Sequence, residues 1–163
     1  MGKKQPAEIT YNNKQDHQNT RIAIVVAKWN SQVVENLREA AVATLQKYGV
    51  IQISVLYVSG SYELPQGANI ALQYQHYDAV ICLGCVIQGE TRHFEFICQS
   101  VSSAIQQVSL KYNKPVVFGV LTTDTFEQAE ERAGGKFGNK GTEAAITALE
   151  MIDLTQNISS SKI

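Results

Sequence analysis

Residues 79–94 read Ala79-Val80-Ile81-Cys82-Leu83-Gly84-Cys85-Val86-Ile87-Gln88-Gly89-Glu90-Thr91-Arg92-His93-Phe94. The first eight form an apolar, partly β-branched run with no polar alternation, the pattern of a strand buried on both faces. Beyond it, Phe94, Ile97, Val101, Ile105, Val108 and Tyr112 recur at helical spacing. A buried strand feeding straight into a helix is the repeating unit of a parallel sheet, whose neighbouring strands need a crossover. The turn between them can present backbone N–H groups to an anion, with the imidazole of His93 beside it on the first helical turn.

The same alternation extends in both directions. Residues 21–27 and 51–58 read as strands before this one, and 115–121 as a strand after it. Apolar residues at Val34, Leu37, Ala41, Leu45 and Tyr48 mark a helix that Ser31 suits as N-cap and Gly49 stops. Further helices are expected at 62–76, 94–112, 125–132 and 141–155, the last two joined by a glycine-rich link. Four strand–helix units imply right-handed crossovers. The expected fold is an α/β three-layer sandwich of flavodoxin-like type. Its four-stranded parallel sheet has order 2-1-3-4 and carries helices on both faces. Residues 1–20 are polar and read as an arm outside the core, 21–157 as the folded domain, and 158–163 as a tail.

With 163 residues, 44% hydrophobic and 18% charged, the chain has the composition of one ordinary globular domain. Fourteen basic and fifteen acidic residues leave a net charge of −1, with no electrostatic footprint for nucleic acid or membrane. No apolar run approaches the roughly eighteen residues of a bilayer span, and the polar N-terminus lacks the apolar core of a signal peptide. These features point to a cytoplasmic protein. Cys82 and Cys85 have the spacing of a metal or redox pair, but residues three apart on a strand face opposite sides. They read as buried hydrophobes, and no metal site is expected.

Ligands of open parallel sheets bind beyond the carboxyl ends of the strands. Those ends carry Lys28-Trp29-Asn30, Ser59-Gly60-Ser61-Tyr62-Glu63, the 88–93 turn, and Thr122-Thr123-Asp124. Trp29 and Tyr62 are suited to sandwich a planar heterocycle, and Glu63 to accept hydrogen bonds from polyol hydroxyls. The plain alternative is that both aromatics cap the core at loop ends. His93, at the positive end of a helix dipole, is suited to accept a proton, although a lone histidine is commonly just a surface residue. The glycine-rich stretch 134–141 lacks Walker spacing and follows a helix, which argues against a nucleotide loop.

The motifs resemble those of the lumazine synthase family. Val25-Val26-Ala27-Lys28-Trp29-Asn30 resembles its first strand and aromatic-Asn end. Val58-Ser59-Gly60-Ser61-Tyr62-Glu63-Leu64-Pro65 resembles its Val-Pro-Gly-(Ala/Ser)-aromatic-Glu-(Ile/Leu)-Pro motif. The 83–94 stretch resembles its Gly-x-Val-Ile-(Arg/Lys)-Gly-x-Thr-x-His signature. Phe118-Gly119-Val120-Leu121-Thr122-Thr123, the 127–134 segment and Gly138-Asn139-Lys140-Gly141 match further along. The similarity spans residues 21–154.

The resemblance implies condensation of 5-amino-6-(D-ribitylamino)uracil with 3,4-dihydroxy-2-butanone 4-phosphate, through an imine, loss of phosphate and ring closure. This is the penultimate step of riboflavin synthesis, and it implies no cofactor. By the same resemblance Trp29 stacks on the pyrimidine. Ser61, Tyr62 and Glu63 bind the pyrimidine and its ribityl chain, with Asn30 and the backbone of Ile87 nearby. Gly89, Glu90 and Thr91 cradle the phosphate, and His93 moves protons. Phe118, Arg132 and Lys140 come from the neighbouring subunit, with Arg132 on the phosphate. Ser59 replaces the usual proline, and Gln88 stands where a basic residue is common. The resemblance further implies a pentamer, with a sixty-subunit shell favoured by the compact 133–141 link. It implies arm pairing with the neighbour's sheet and a functional link to riboflavin synthase. A flavin-binding module without turnover, a shell protein with vestigial activity and a flavodoxin-type carrier are weaker alternatives. The first does not need the phosphate-binding residues 89–91 with Arg132, the second does not explain Trp29, Glu63, His93 and Arg132 together, and the third lacks its phosphate loop.

Overall fold

The computed structural model describes residues 9–12 and 15–161. Strand β1 (Arg21–Ala27) leads to helix α1 (Ser31–Lys47), and β2 (Gln52–Val58) leads through a 3-10 turn (Ser61–Glu63) to α2 (Leu64–Tyr74). Then come β3 (Ala79–Ile87), α3 (His93–Tyr112), β4 (Val116–Thr123) and α4 (Phe126–Glu130). Two short strands, β5 (Ala133–Gly135) and β6 (Gly138–Asn139), precede the long α5 (Lys140–Ser160). The main sheet is parallel, as the alternation predicts, and its order is β2-β1-β3-β4, the one expected.

Two apolar layers flank the sheet. On one face Ile22, Ile24, Val26, Ile81 and Leu83 meet α1 and α5 through Val34, Leu37, Leu45, Ile146 and Leu149. On the other, Ala23, Val25, Val80 and Cys82 meet α2 and α3 through Leu64, Ala68, Val101 and Ile105. Fully burying each such Ile, Leu or Val contributes about 1.5–3 kcal/mol. Helices α1 and α5 pack closely because Gly141 has no side chain: a Cβ there would lie 1.9 Å from the Leu37 carbonyl oxygen. Cys82 belongs to one layer and Cys85 to the other, so their sulfurs face opposite sides of β3. Burial pushes the two thiols up, to about 12 and about 11.

Several sequence expectations are revised. The N-cap of α1 is Asn30 and not Ser31; Asn30 sits in the left-handed region (φ 54°, ψ 42°) and makes no side-chain cap. Its amide is engaged elsewhere, donating to the Cys85 carbonyl at 2.8 Å. The glycine-rich link is a β5–β6 antiparallel hairpin, and α5 continues to Ser160, into the expected tail.

The described part of the N-terminal segment also contributes to the core. Tyr11 is buried, with its ring edge-on to Tyr48 at 4.9 Å. Its hydroxyl donates to the Asp153 carboxylate and lies 2.6 Å from His17 Nε2. His17 Nδ1 lies 3.1 Å from the Thr20 hydroxyl, and its Nε2 3.4 Å from Asp153 Oδ1. Polar composition hid this cluster, which fastens Tyr11, His17 and Thr20 to α5. The remainder of the expected arm, residues 1–8, 13 and 14, lies outside the described residues.

Candidate active site at the carboxyl edge of the sheet

The β1 and β2 ends are tied by backbone bonds: Lys28 N–H donates to the Val58 carbonyl at 2.9 Å and Trp29 N–H to that of Ser59 at 3.1 Å. This fixes where Trp29 leaves the sheet. The indole is 67% exposed, yet one face is packed on Gly60. A Cβ on Gly60 would lie 2.7 Å from Trp29 Cε3, so only glycine permits this approach. The Gly60 N–H donates to the Glu63 carboxylate at 2.9 Å. That is one half of a capping box; the other half is missing because glycine has no side chain to return the bond. Glu63 is thereby held at the start of α2, half-buried, with its second oxygen making no hydrogen bond among the described residues.

Ser61 is buried, and its Oγ has no hydrogen-bond partner among the described residues. It lies against Gly84, where a Cβ would come within 2.5 Å of the hydroxyl. A buried hydroxyl without a partner costs about 1–3 kcal/mol, and such exceptions call for an explanation. Tyr62 is exposed on the same turn.

The β3 end is joined to this group through Asn30, whose amide reaches Cys85. On its other side Ile87 pairs with Thr123, and Gln88 N–H donates to the Thr123 carbonyl at 2.8 Å. The Gln88 amide folds back on the Gly89 carbonyl. Next, the N–H groups of Gly89, Glu90 and Thr91 make no hydrogen bond among the described residues, and all three residues are exposed. They lead into a 20-residue helix that begins at His93. Free backbone donors ahead of a long helix form an anion cradle. The His93 imidazole is exposed and makes no hydrogen bond among the described residues, which leaves both ring nitrogens open to a ligand.

Phe118, Lys140 and Arg132 are placed differently. Phe118 pairs with Cys82 in mid-strand, five positions before Thr123, or about 17 Å from the strand end. Phe118 and Lys140 line one groove of about 410 Å³ between α3 and α5 along the free edge of β4. Lys140 forms an ion pair there with Glu143. Arg132 follows α4 and donates from Nη1 to the Gln128 carbonyl at 2.9 Å. Among the described residues, no hydrogen bond, ion pair or ring contact joins these three to Trp29, Glu63 or His93. Thr125 caps α4 by accepting from Gln128 N–H at 3.3 Å. The neighbouring Glu127 carboxyl is held below its usual range by its own backbone amide and by the Thr125 hydroxyl.

Sequence reasoning named the strand-end residues but missed what orders them. The Asn30–Cys85 bond is non-local and leaves no local signature, whereas Gly60-x-x-Glu63 carries a recognisable cap spacing. Phe137, whose ring lies 4.8 Å from the Arg132 guanidinium carbon, carries no local signature in the glycine-rich stretch.

The family model for 6,7-dimethyl-8-ribityllumazine synthase matches residues 19–156. Among curated proteins, the chain is 58% identical over 134 residues to the 6,7-dimethyl-8-ribityllumazine synthase of Cytophaga hutchinsonii, covering 81% of this chain and 84% of the relative. It is 46% identical over 151 residues to that of Parabacteroides distasonis, covering 91% of this chain and 94% of the relative. With that of Yersinia pestis it shares 47% over 143 residues, covering 86% and 92%. The fold, the motifs and these matches agree, and the chain belongs to the 6,7-dimethyl-8-ribityllumazine synthase family, a family of transferase enzymes.

Proposed function

We propose that the protein condenses 5-amino-6-(D-ribitylamino)uracil with 3,4-dihydroxy-2-butanone 4-phosphate to give 6,7-dimethyl-8-ribityllumazine, phosphate and water, in riboflavin synthesis. One observation carries this reading. An exposed indole face seated on Gly60 follows β1, and three N–H groups without a hydrogen bond among the described residues, beside His93, follow the adjacent strand β3. A flat ring and an anion are thereby offered separate berths within one edge.

In this reading Trp29 stacks on the pyrimidine, and the Glu63 oxygen left free by Gly60 accepts from the ribityl chain. Asn30 holds the two strand ends in register, with Ile87 lining the pocket. Ser61 Oγ is buried, so a ribityl hydroxyl reaches it only if the 3-10 turn shifts; Tyr62 is the exposed side chain on that turn. The N–H groups of residues 89–91 hold the phosphate, and His93 carries protons during imine formation and phosphate loss. Holding two small molecules in register supplies much of such a rate enhancement, and donors aimed at the departing phosphate add electrostatic stabilisation.

The placement of Phe118 and Lys140 in the groove along β4, and the lack of any hydrogen bond, ion pair or ring contact between Arg132 and Trp29, Glu63 or His93 among the described residues, support a site completed by a second subunit. We infer that they serve the neighbour's pocket, Arg132 on the phosphate, where a guanidinium can bond two oxygens. The assembly is then a pentamer, with a sixty-subunit shell as its larger form, in the cytoplasm. Its product passes to riboflavin synthase. Among the described residues no helix is long and apolar enough to cross a membrane.

The test mixes the purified protein with both substrates and follows the lumazine chromophore. A rate no higher than the uncatalysed background overturns the reading. Sedimentation tests the assembly separately: a monomer counts against the shared site, and a pentamer alone counts against the shell.

A further inference from the structure

The β5–β6 hairpin is built to hold one ring in place. Phe137 N–H donates to the Glu131 carbonyl at 2.8 Å, and Lys140 N–H donates to the Arg132 carbonyl at 2.9 Å. Gly134 and Gly138 take φ of +109° and +79°, left-handed values that let the chain reverse within so few residues. At Gly135 an added Cβ would lie 2.8 Å from Glu131 Cα, so the hairpin sits directly on the end of α4. The backbone on both sides of Phe137 is therefore pinned to residues 131 and 132.

Against that half-buried ring lie two cations. The guanidinium carbon of Arg132 is 4.8 Å from the ring centroid, and the ammonium of Lys136 is 5.4 Å from it. Both distances fall within the range of cation–π attraction. Arg132 spends one N–H on the Gln128 carbonyl, which leaves four of its five donors for another partner. An arginine side chain otherwise loses about 2 kcal/mol of rotamer entropy when it is fixed in one pose. Here the Gln128 carbonyl and the Phe137 ring fix it beforehand. Two like charges gathered on one ring repel each other, and an anion relieves that repulsion.

We propose that Phe137 is a positioning residue: its ring presents the Arg132 guanidinium, with Lys136 beside it, to the phosphate of the four-carbon substrate. The inference rests on the reading of Arg132 given above and deepens it. Phe137 itself touches no substrate; it acts through Arg132.

The test compares steady-state kinetics of the assembled enzyme, varying each substrate in turn, for Phe137→Leu, Phe137→Tyr and Arg132→Ala. It includes the Phe137→Leu/Arg132→Ala pair, with sedimentation of every variant. Loss of the ring is expected to raise KM for the phosphate-bearing ketone about three- to tenfold, the scale of one cation–π contact. KM for ribitylaminouracil, kcat and assembly stay within about twofold of the parent. Phe137→Tyr, which keeps the ring, restores the ketone KM. In the Arg132→Ala background, Phe137→Leu adds nothing further.

An unchanged ketone KM in Phe137→Leu, where Arg132→Ala does raise it, overturns the role of Phe137 and leaves that of Arg132 standing. An effect of Phe137→Leu that persists without Arg132 also overturns it. An unchanged KM in Arg132→Ala removes the phosphate role of Arg132 and this proposal together. If Phe137→Leu fails to assemble, Phe137→Met, which keeps the volume without the ring, is read against the same outcomes.

Discussion

Gly60 and Trp29 are in direct contact: the indole face covers the glycine so closely that a single added methyl would stand 2.7 Å from Cε3. Position 60 therefore governs where the ring stands. Gly60→Ala is expected to push the indole off its seat, raise KM for ribitylaminouracil about tenfold and leave the ketone KM nearly unchanged. Trp29 is the chain's sole tryptophan, so its emission reports the displacement directly. Unaltered emission and kinetics in Gly60→Ala would show that the contact does not set the pocket.

His93 and Arg132 are expected to fail differently. His93→Ala should lower kcat about ten- to hundredfold without abolishing turnover, because positioning of the substrates survives. Arg132→Ala should act mainly on the ketone KM. Full-rate turnover by His93→Ala would remove the imidazole from the proton transfers.

The cluster of Tyr11, His17 and Asp153 is expected to anchor the N-terminal segment. Asp153→Ala strips an acceptor from two buried groups and should cost about 3 kcal/mol, or roughly 6–12 °C in Tm. Hydrogen exchange should rise over residues 15–20 and at the facing part of α5. A variant as stable as the parent would mean the cluster holds nothing in place.

The buried thiols give a signed pH dependence. Below the ordinary thiol value of 9.0 both folded and unfolded chains keep these protons, and stability does not respond to them. As pH rises from there towards about 11 and about 12, only the unfolded chain releases them. Unfolding is therefore favoured at alkaline pH. Urea midpoints for the parent and for Cys82→Ala, taken at about pH 8 and about pH 10.5, isolate the effect. The parent should fall more steeply, and parallel slopes would refute the assignment. In native protein at about pH 8, Cys82 and Cys85 should also resist alkylation until the chain is unfolded.

The parallel sheet was legible because each strand is a short apolar run and each crossover shows helical spacing; its order agrees with the one expected, although alternation alone does not fix which strands are neighbours. The site was legible where it lies at strand ends, since topology alone brings Trp29, Glu63 and His93 to one edge. What escaped had non-local or very short causes. Asn30 displaced Ser31 as the cap because its amide bonds to Cys85, which is 55 residues away in sequence. The hairpin strands, of three and two residues, are too short for any periodicity to register. Tyr11 and His17 looked like part of a polar arm until α5 supplied Asp153 from the far end of the chain.

The placement of Phe118 in mid-strand, away from the edge that carries Trp29, has a consequence for mixtures of defective chains. Under the shared-site reading, a chain lacking Glu63 and a chain lacking Phe118 each still carry the half that the other has lost. Co-assembled, they restore an intact pocket wherever the two sound halves meet. Activity should therefore reappear when two inactive proteins are unfolded together and refolded, but not when they are simply combined after folding. Two alleles that each fail alone would complement in one cell.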